Sequence, residues 1–138
     1  MVSGGRDHVS LVGWSSHKLK RVARSSLSAE LQAMATAEDE LHLARAAWTE
    51  IATGFSDPRR HVEMAKRTPG TAVIDAKALY DALTNQTQPL QLAEKRGALE
   101  LLAYARNTKE SECMTRWVHS GANIADAMTK STASAVME

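Results

Sequence analysis

The chain has 138 residues, 43% of them hydrophobic and 24% charged, with a net charge of +1 and one cysteine, Cys113. That length suits a single domain over 1–138 with a sizeable core, and the composition excludes a disordered chain. An internal disulfide is impossible, and no apolar run reaches the ~18–20 residues of a membrane span or forms a signal-peptide core. The sequence therefore predicts a soluble intracellular domain, cytoplasmic or nuclear, with no signal peptide and no membrane partner. The even balance hides an asymmetry. Residues 1–24 carry Arg6, Lys18, Lys20, Arg21 and Arg24 against Asp7 alone, whereas 25–57 carry six acids against Arg45. A phosphate-binding edge beside a cation site and two solvated faces are both compatible with this.

In chain order, residues 1–7 are Gly- and Ser-rich and are expected to be poorly ordered. Residues 8–14 read as a short strand on Val9, Leu11, Val12 and Trp14. A basic connector, 15–24, leads to a long helix over 26–53. Leu27, Leu31, Met34, Leu41, Trp48 and Ile51 fall on roughly one side of it, Ser25 or Ser26 can cap its start, and Gly54 can end it. Around 59–66 a short helical turn is expected. Thr71–Asp75 reads as a buried strand that runs into a helix over 76–85. Pro89 suits the first turn of a further helix over 90–107, with Leu92, Leu99, Leu102 and Ala103 as its buried side. Residues 112–118 form the last strand candidate, 120–123 a turn, and 124–133 a short helix with Ile124, Ala127 and Met128 inward. Strands alternating with helices predict an α/β layered domain with a largely parallel sheet. With only six aromatic residues, Leu, Ala, Val, Ile and Met must supply most of the core, and Trp14, Trp48 and Trp117 are expected to help fill it.

Three acids stand out by position: Glu30 in the opening turns of the long helix, Asp75 where a strand gives way to a helix, and Asp126 in the last helix. In open α/β sheets, sites form at the carboxyl ends of strands, so these carboxylates could converge. Unshielded like charges ~4 Å apart repel by roughly 4 kcal/mol at an effective dielectric near 20, so such a cluster calls for cations. All-oxygen ligands with open positions suit Mg²⁺ or Mn²⁺. Each acid also has an ordinary explanation. Asp126 can support a helix capped by Asn123, Asp75 can cap the helix after it, and Glu30 can be a solvated side chain. The five histidines show no pairing at zinc-ligand spacing, Cys113 has no partner cysteine, and there is no Gly-rich phosphate loop. Lys18, Lys20, Arg21 and Arg24 could contact phosphates or simply solvate a loop.

Several stretches resemble a known family. Trp14-Ser-Ser-His-Lys-Leu followed by Val22-Ala-Arg-Ser-Ser-Leu-Ser-Ala-Glu30 is similar to the "WSSKK…VA-SS-EAE" signature of the ribonuclease H domain in Ty1/copia-type retrotransposon Pol polyproteins. Val73-Ile-Asp75-Ala-Lys-Ala-Leu resembles that family's strand-then-Asp element, and Trp117-Val…Asn123-Ile-Ala-Asp126-Ala-Met-Thr-Lys130 its C-terminal "WV…LAD-LTK" motif. The motifs follow the family's order over roughly 10–130 and look especially like retroelement copies from dinoflagellate algae. The resemblance implies an RNase H-like three-layer fold, with helices on both sides of a mixed sheet. It also implies a nuclease that hydrolyses the RNA strand of RNA–DNA hybrids with two divalent ions, Mg²⁺ or Mn²⁺. By position Glu30, Asp75 and Asp126 become metal ligands and catalytic residues, while Lys18, Lys20, Arg21, Arg24, Lys95 and Arg96 become nucleic-acid contacts. The implied partners are the hybrid and the reverse transcriptase part of the same polyprotein.

The chain also departs from the family pattern. It lacks counterparts of the family's first two strands and of the aspartate on the first, and His119 lies in the loop that carries a mobile histidine in the family. This predicts impaired hydrolysis and a three-stranded remnant sheet, with Val9–Trp14 beside Thr71–Asp75, or else pairing with another chain. A non-catalytic remnant that at most binds nucleic acid, and an unrelated interaction module, are the alternatives.

Overall fold

The structure, a computed structural model, describes residues 10–15, 25–84 and 95–125. Its longest element is α1, Ser26–Thr53. The Ser25 hydroxyl accepts from the Ser28 amide at 3.1 Å, which satisfies one of the donors left open at a helix start. At the other end Gly54 takes a left-handed φ of 70° and donates to the Glu50 carbonyl, a conformation that favours a residue without Cβ. A 3₁₀ turn, Pro58–Arg60, with Asp57 capping it, leads into α2, His61–Lys66. Strand β1, Gly70–Ile74, is followed by α3, Lys77–Thr84. Helix α4, Lys95–Glu110, then turns through Ser111 and Glu112 into β2, Cys113–Trp117. A second 3₁₀ turn, Ser120–Ala122, closes the described chain, with helical backbone starting at Ile124.

β1 and β2 pair in parallel, Gly70 opposite Cys113 and Ile74 opposite Trp117, and the ladder continues through Val118 N–H to the Ile74 carbonyl at 2.9 Å. Side chains alternate across a strand, so Gly70, Ala72 and Ile74 share a face with Thr115. Both α1 and α4 lie on that face: Arg45 of α1 passes over Gly70, and Tyr104 of α4 bonds the Thr115 hydroxyl at 2.8 Å. The apolar core between these layers is Leu31, Met34, Leu79 and Tyr104, flanked by Leu27, Ile74, Ala76, Leu83 and Leu101. On the opposite face Thr71, Val73, Met114 and Arg116 are exposed.

A second, polar centre holds the starts of both strands. Arg45 is 3% exposed; its Nε donates to the Thr68 carbonyl at 2.7 Å and one terminal nitrogen to the Ser111 carbonyl at 2.8 Å. Thr49, one turn on, donates to the Met64 carbonyl at 2.7 Å and meets the Thr68 hydroxyl at 2.8 Å. Gly70 is required here, because a Cβ would stand 2.5 Å from Arg45 Cδ.

The mixed helix-and-strand architecture and the parallel pairing are as expected, and α1 has the expected bounds. The sheet differs. Residues 10–15 carry no strand, and Leu11, Val12 and Trp14 are exposed; β propensity alone does not hold a strand that lacks a pairing partner. The described sheet is therefore two-stranded where a third strand was expected, and the described helices α1 and α4 lie on one face of it. The β1 strand is half-exposed, with Val73 53% accessible, where a buried strand was expected.

Helix faces differ too. Trp48 and Ile51 point outward, because the C-terminal half of α1 turns Arg45 and Thr49 inward instead. In α4, Tyr104 and Thr108 are buried while Leu99, Leu102 and Ala103 are exposed. Trp14, Trp48 and Trp117 are likewise partly or mostly accessible, so the core-filling role expected of them falls to Leu31, Leu79 and Tyr104. Ile124, expected inward, is exposed. Residues 1–7, Asn85, Pro89, Leu92, Ala127 and Met128 lie outside the described residues.

Candidate functional site

A groove of about 400 Å³ runs along β1, walled by α1 through Ala33, Met34, Ala37 and Leu41 and floored by Thr71–Asp75. Glu30 and Asp75 both line it, together with Asn123. The backbone explains why. α1 runs antiparallel to β1: its later turns cross the start of the strand at Gly70, which leaves its opening turns at the strand's carboxyl end. Glu30 therefore reaches the place where β1 hands over to α3, and Asp75 is the first residue past that strand.

Asp75 is held from two sides. Its Oδ2 accepts from the Asn123 side-chain amide at 3.2 Å, and its carbonyl accepts from Trp117 Nε1 at 3.2 Å. The Asn123 oxygen in turn accepts from the Ala125 amide at 3.1 Å, so one side chain both caps the start of the next helical turn and orients the Asp75 carboxylate. Lys77, two residues on, pairs with Asp81 at 3.1 Å and stands 6.0 Å from the centre of the Trp117 ring. Asp75, so held, and Glu30 line a groove that is otherwise largely apolar.

Of the residues singled out in the sequence, Glu30 and Asp75 thus share one cavity. Asp126, Lys18, Lys20, Arg21 and Arg24 lie outside the described residues. Lys95 opens α4, and Arg96 beside it is exposed. His119 is exposed and accepts from the Gly121 amide at 3.2 Å, which makes it the cap of the second 3₁₀ turn. Among the described residues no group of three or more His, Cys, Asp or Glu side chains is placed to hold a metal ion. Glu30 and Asp75 supply carboxylate oxygens, the donor type that a hard divalent cation such as Mg²⁺ prefers, from two walls of one groove.

Cys113 is half-buried, and burial pushes its thiol up from the ordinary value against the opposing pull of Arg45. That is the wrong direction for a nucleophile. Sequence reasoning also missed a pair that spacing could not reveal: His42 of α1 and His61 of α2, nineteen positions apart, meet ring nitrogen to ring nitrogen at 2.9 Å.

Comparisons with protein-family models, with curated proteins and with solved structures give no match for this chain. No helix among the described residues is long and apolar enough to cross a membrane.

Proposed function

We propose that this chain is an RNase H-like domain of a retroelement polyprotein. In this reading the Glu30–Asp75 groove is the site of metal-dependent hydrolysis of RNA in RNA–DNA hybrids. The observation that carries the reading is that Glu30 and Asp75, 45 positions apart, line one groove beside a parallel strand and its carboxyl end. Crevices at that end are where open α/β sheets place their ligands. Asn123 adds support, since it bonds Asp75 and lies three residues before Asp126.

In this reading Glu30, Asp75 and Asp126 would hold the cation, Mg²⁺ or Mn²⁺. Such an ion supplies Lewis-acid stabilisation to a phosphoryl oxygen and lowers the pKa of bound water. The chain's own residues do the positioning. Asn123 fixes one Asp75 oxygen, and α1 presents Glu30 from the facing wall. Lys18, Lys20, Arg21, Arg24, Lys95 and Arg96 would bind backbone phosphates, and the reverse transcriptase part of the polyprotein would deliver the hybrid.

A second reading, a non-catalytic remnant that binds nucleic acid, is favoured by one observation. Among the described residues only two carboxylates face the groove, and no three-ligand group forms.

Cleavage of a labelled RNA–DNA hybrid in Mg²⁺ and in Mn²⁺ separates the two. Cutting that Asp75→Asn and Glu30→Gln each abolish is the result expected of the nuclease. Hybrid binding in a gel shift without any cutting would replace the first reading with the second.

A further inference from the structure

Away from that groove, about 18 Å further along α1 at 1.5 Å per residue, lies a second small cavity of about 170 Å³. His42 and His61 line it with Glu38, Asp39, Asn107 and Glu110. The two imidazoles stand edge to face, centroids 5.1 Å apart and planes 70° apart, with His42 Nε2 and His61 Nδ1 at 2.9 Å. Their backbones are fixed relative to each other, because Thr49 bonds the Met64 carbonyl and Arg45 bonds the Thr68 carbonyl, joining α1 to α2 and the residues just past it. The two-helix frame holds two ring nitrogens within hydrogen-bond distance of each other, beside a space for water, so that a turn of each ring brings both to bear on one ion.

We infer that His42 and His61 form a binding site for an imidazole-preferring divalent transition metal, of the zinc, nickel or copper class, at the α1–α2 junction. Two nitrogens about 2.0–2.1 Å from a tetrahedral ion are ~3.3 Å apart, so the pair opens by a few tenths of an ångström while each ring turns its nitrogen off the N···N line toward the ion. His61 is exposed and can supply that movement. The proton that now joins the two rings moves to the donor's other nitrogen, Nδ1 of His42 or Nε2 of His61. Both lone pairs then face the ion, and the neutral pair releases no net proton. Water fills the remaining positions, with Asp39 and Glu110 on the cavity wall to accept its hydrogen bonds. Imidazole ligands select against Mg²⁺, so this site is chemically distinct from the carboxylate groove.

The test is calorimetric titration of the whole chain with Zn²⁺, alongside His42→Ala, His61→Ala, His119→Ala and Asp75→Asn. The result expected is one saturable binding event that disappears in His42→Ala and His61→Ala and persists in the other two. With it goes a Zn²⁺-dependent rise in Tm seen only where binding survives. His61→Ala is the decisive variant, because an exposed side chain can be cut back without harm to the fold, as its metal-free melting will show. An unchanged isotherm in His61→Ala, loss of the event in Asp75→Asn, or no saturable binding by the folded wild-type chain would each overturn the inference.

Discussion

The two halves of α1 are held by opposite chemistry. Its first half packs Leu31 and Met34 into the apolar cluster with Leu79 and Tyr104. Its second half buries Arg45 and Thr49, hydrogen-bonded to main-chain carbonyls of α2, of the segment between α2 and β1, and of the turn before β2. Meanwhile Leu43, Trp48 and Ile51 of that half face outward. Apolar packing is non-directional and tolerates adjustment, whereas a guanidinium fork fixes two carbonyls at set angles. The first half therefore supplies cohesion beside the groove. The second half fixes where the strands begin, and so where β1 ends.

The largest effect is expected in the apolar half. Leu31→Ala should cost about 3–4 kcal/mol by leaving a cavity in a site with no exposure, read as a fall in the urea midpoint. In the polar half, Arg45→Met should cost about 2–3 kcal/mol, because the part-buried Thr68 carbonyl and the buried Ser111 carbonyl lose charge-assisted donors. The two changes lie some 21 Å apart along the helix at 1.5 Å per residue, so their costs should add to within ~0.5 kcal/mol. Strong coupling between them would show that the halves are one centre.

A smaller change sharpens the contrast. Ser25→Ala removes the cap of the apolar half and should cost about 1 kcal/mol, measurable by thermal melting.

Glu38 stands between the halves and gives the smallest, pH-dependent, difference. It is 4% exposed, and burial chiefly, then Asp39, pushes its carboxyl above the ordinary value, while the Asn107 side chain and Arg45 oppose the shift. The folded state therefore holds this proton more tightly than the unfolded chain. Its contribution to stability is present at acid pH and is lost as pH rises through and above the usual carboxylate range. Glu38→Gln should lack that loss, so stability–pH curves of variant and wild type should converge in acid and part at neutral pH, with the variant the more stable.

Two residues of the candidate groove were legible because they depend on local position. A lone acid ending an apolar stretch, Asp75, and an acid one turn into a capped helix, Glu30, can be marked from spacing alone. Asn123 could be read as a cap, and it is one, but its bond to Asp75 spans 48 residues and leaves no local trace. The same holds for Arg45 with Ser111 and for His42 with His61. Each pair joins elements whose approach is set by how α1 lies across the sheet and α2.

By itself, the sequence determined where most elements start and stop. Ser25 and Gly54 set the ends of α1 through cap chemistry, and the segments around β1 and β2 are brief and partly β-branched. Those are contests among neighbouring groups, settled within a turn or two of chain. Only the tertiary structure decided which face each helix buries and how many strands pair. Burial depends on what stands opposite: Trp48 and Ile51 lose the inner face of α1 to Arg45 and Thr49 because main-chain carbonyls at Met64, Thr68 and Ser111 wait there for donors. A buried carbonyl without a donor costs more than an exposed apolar side chain, and that inequality turns the helix.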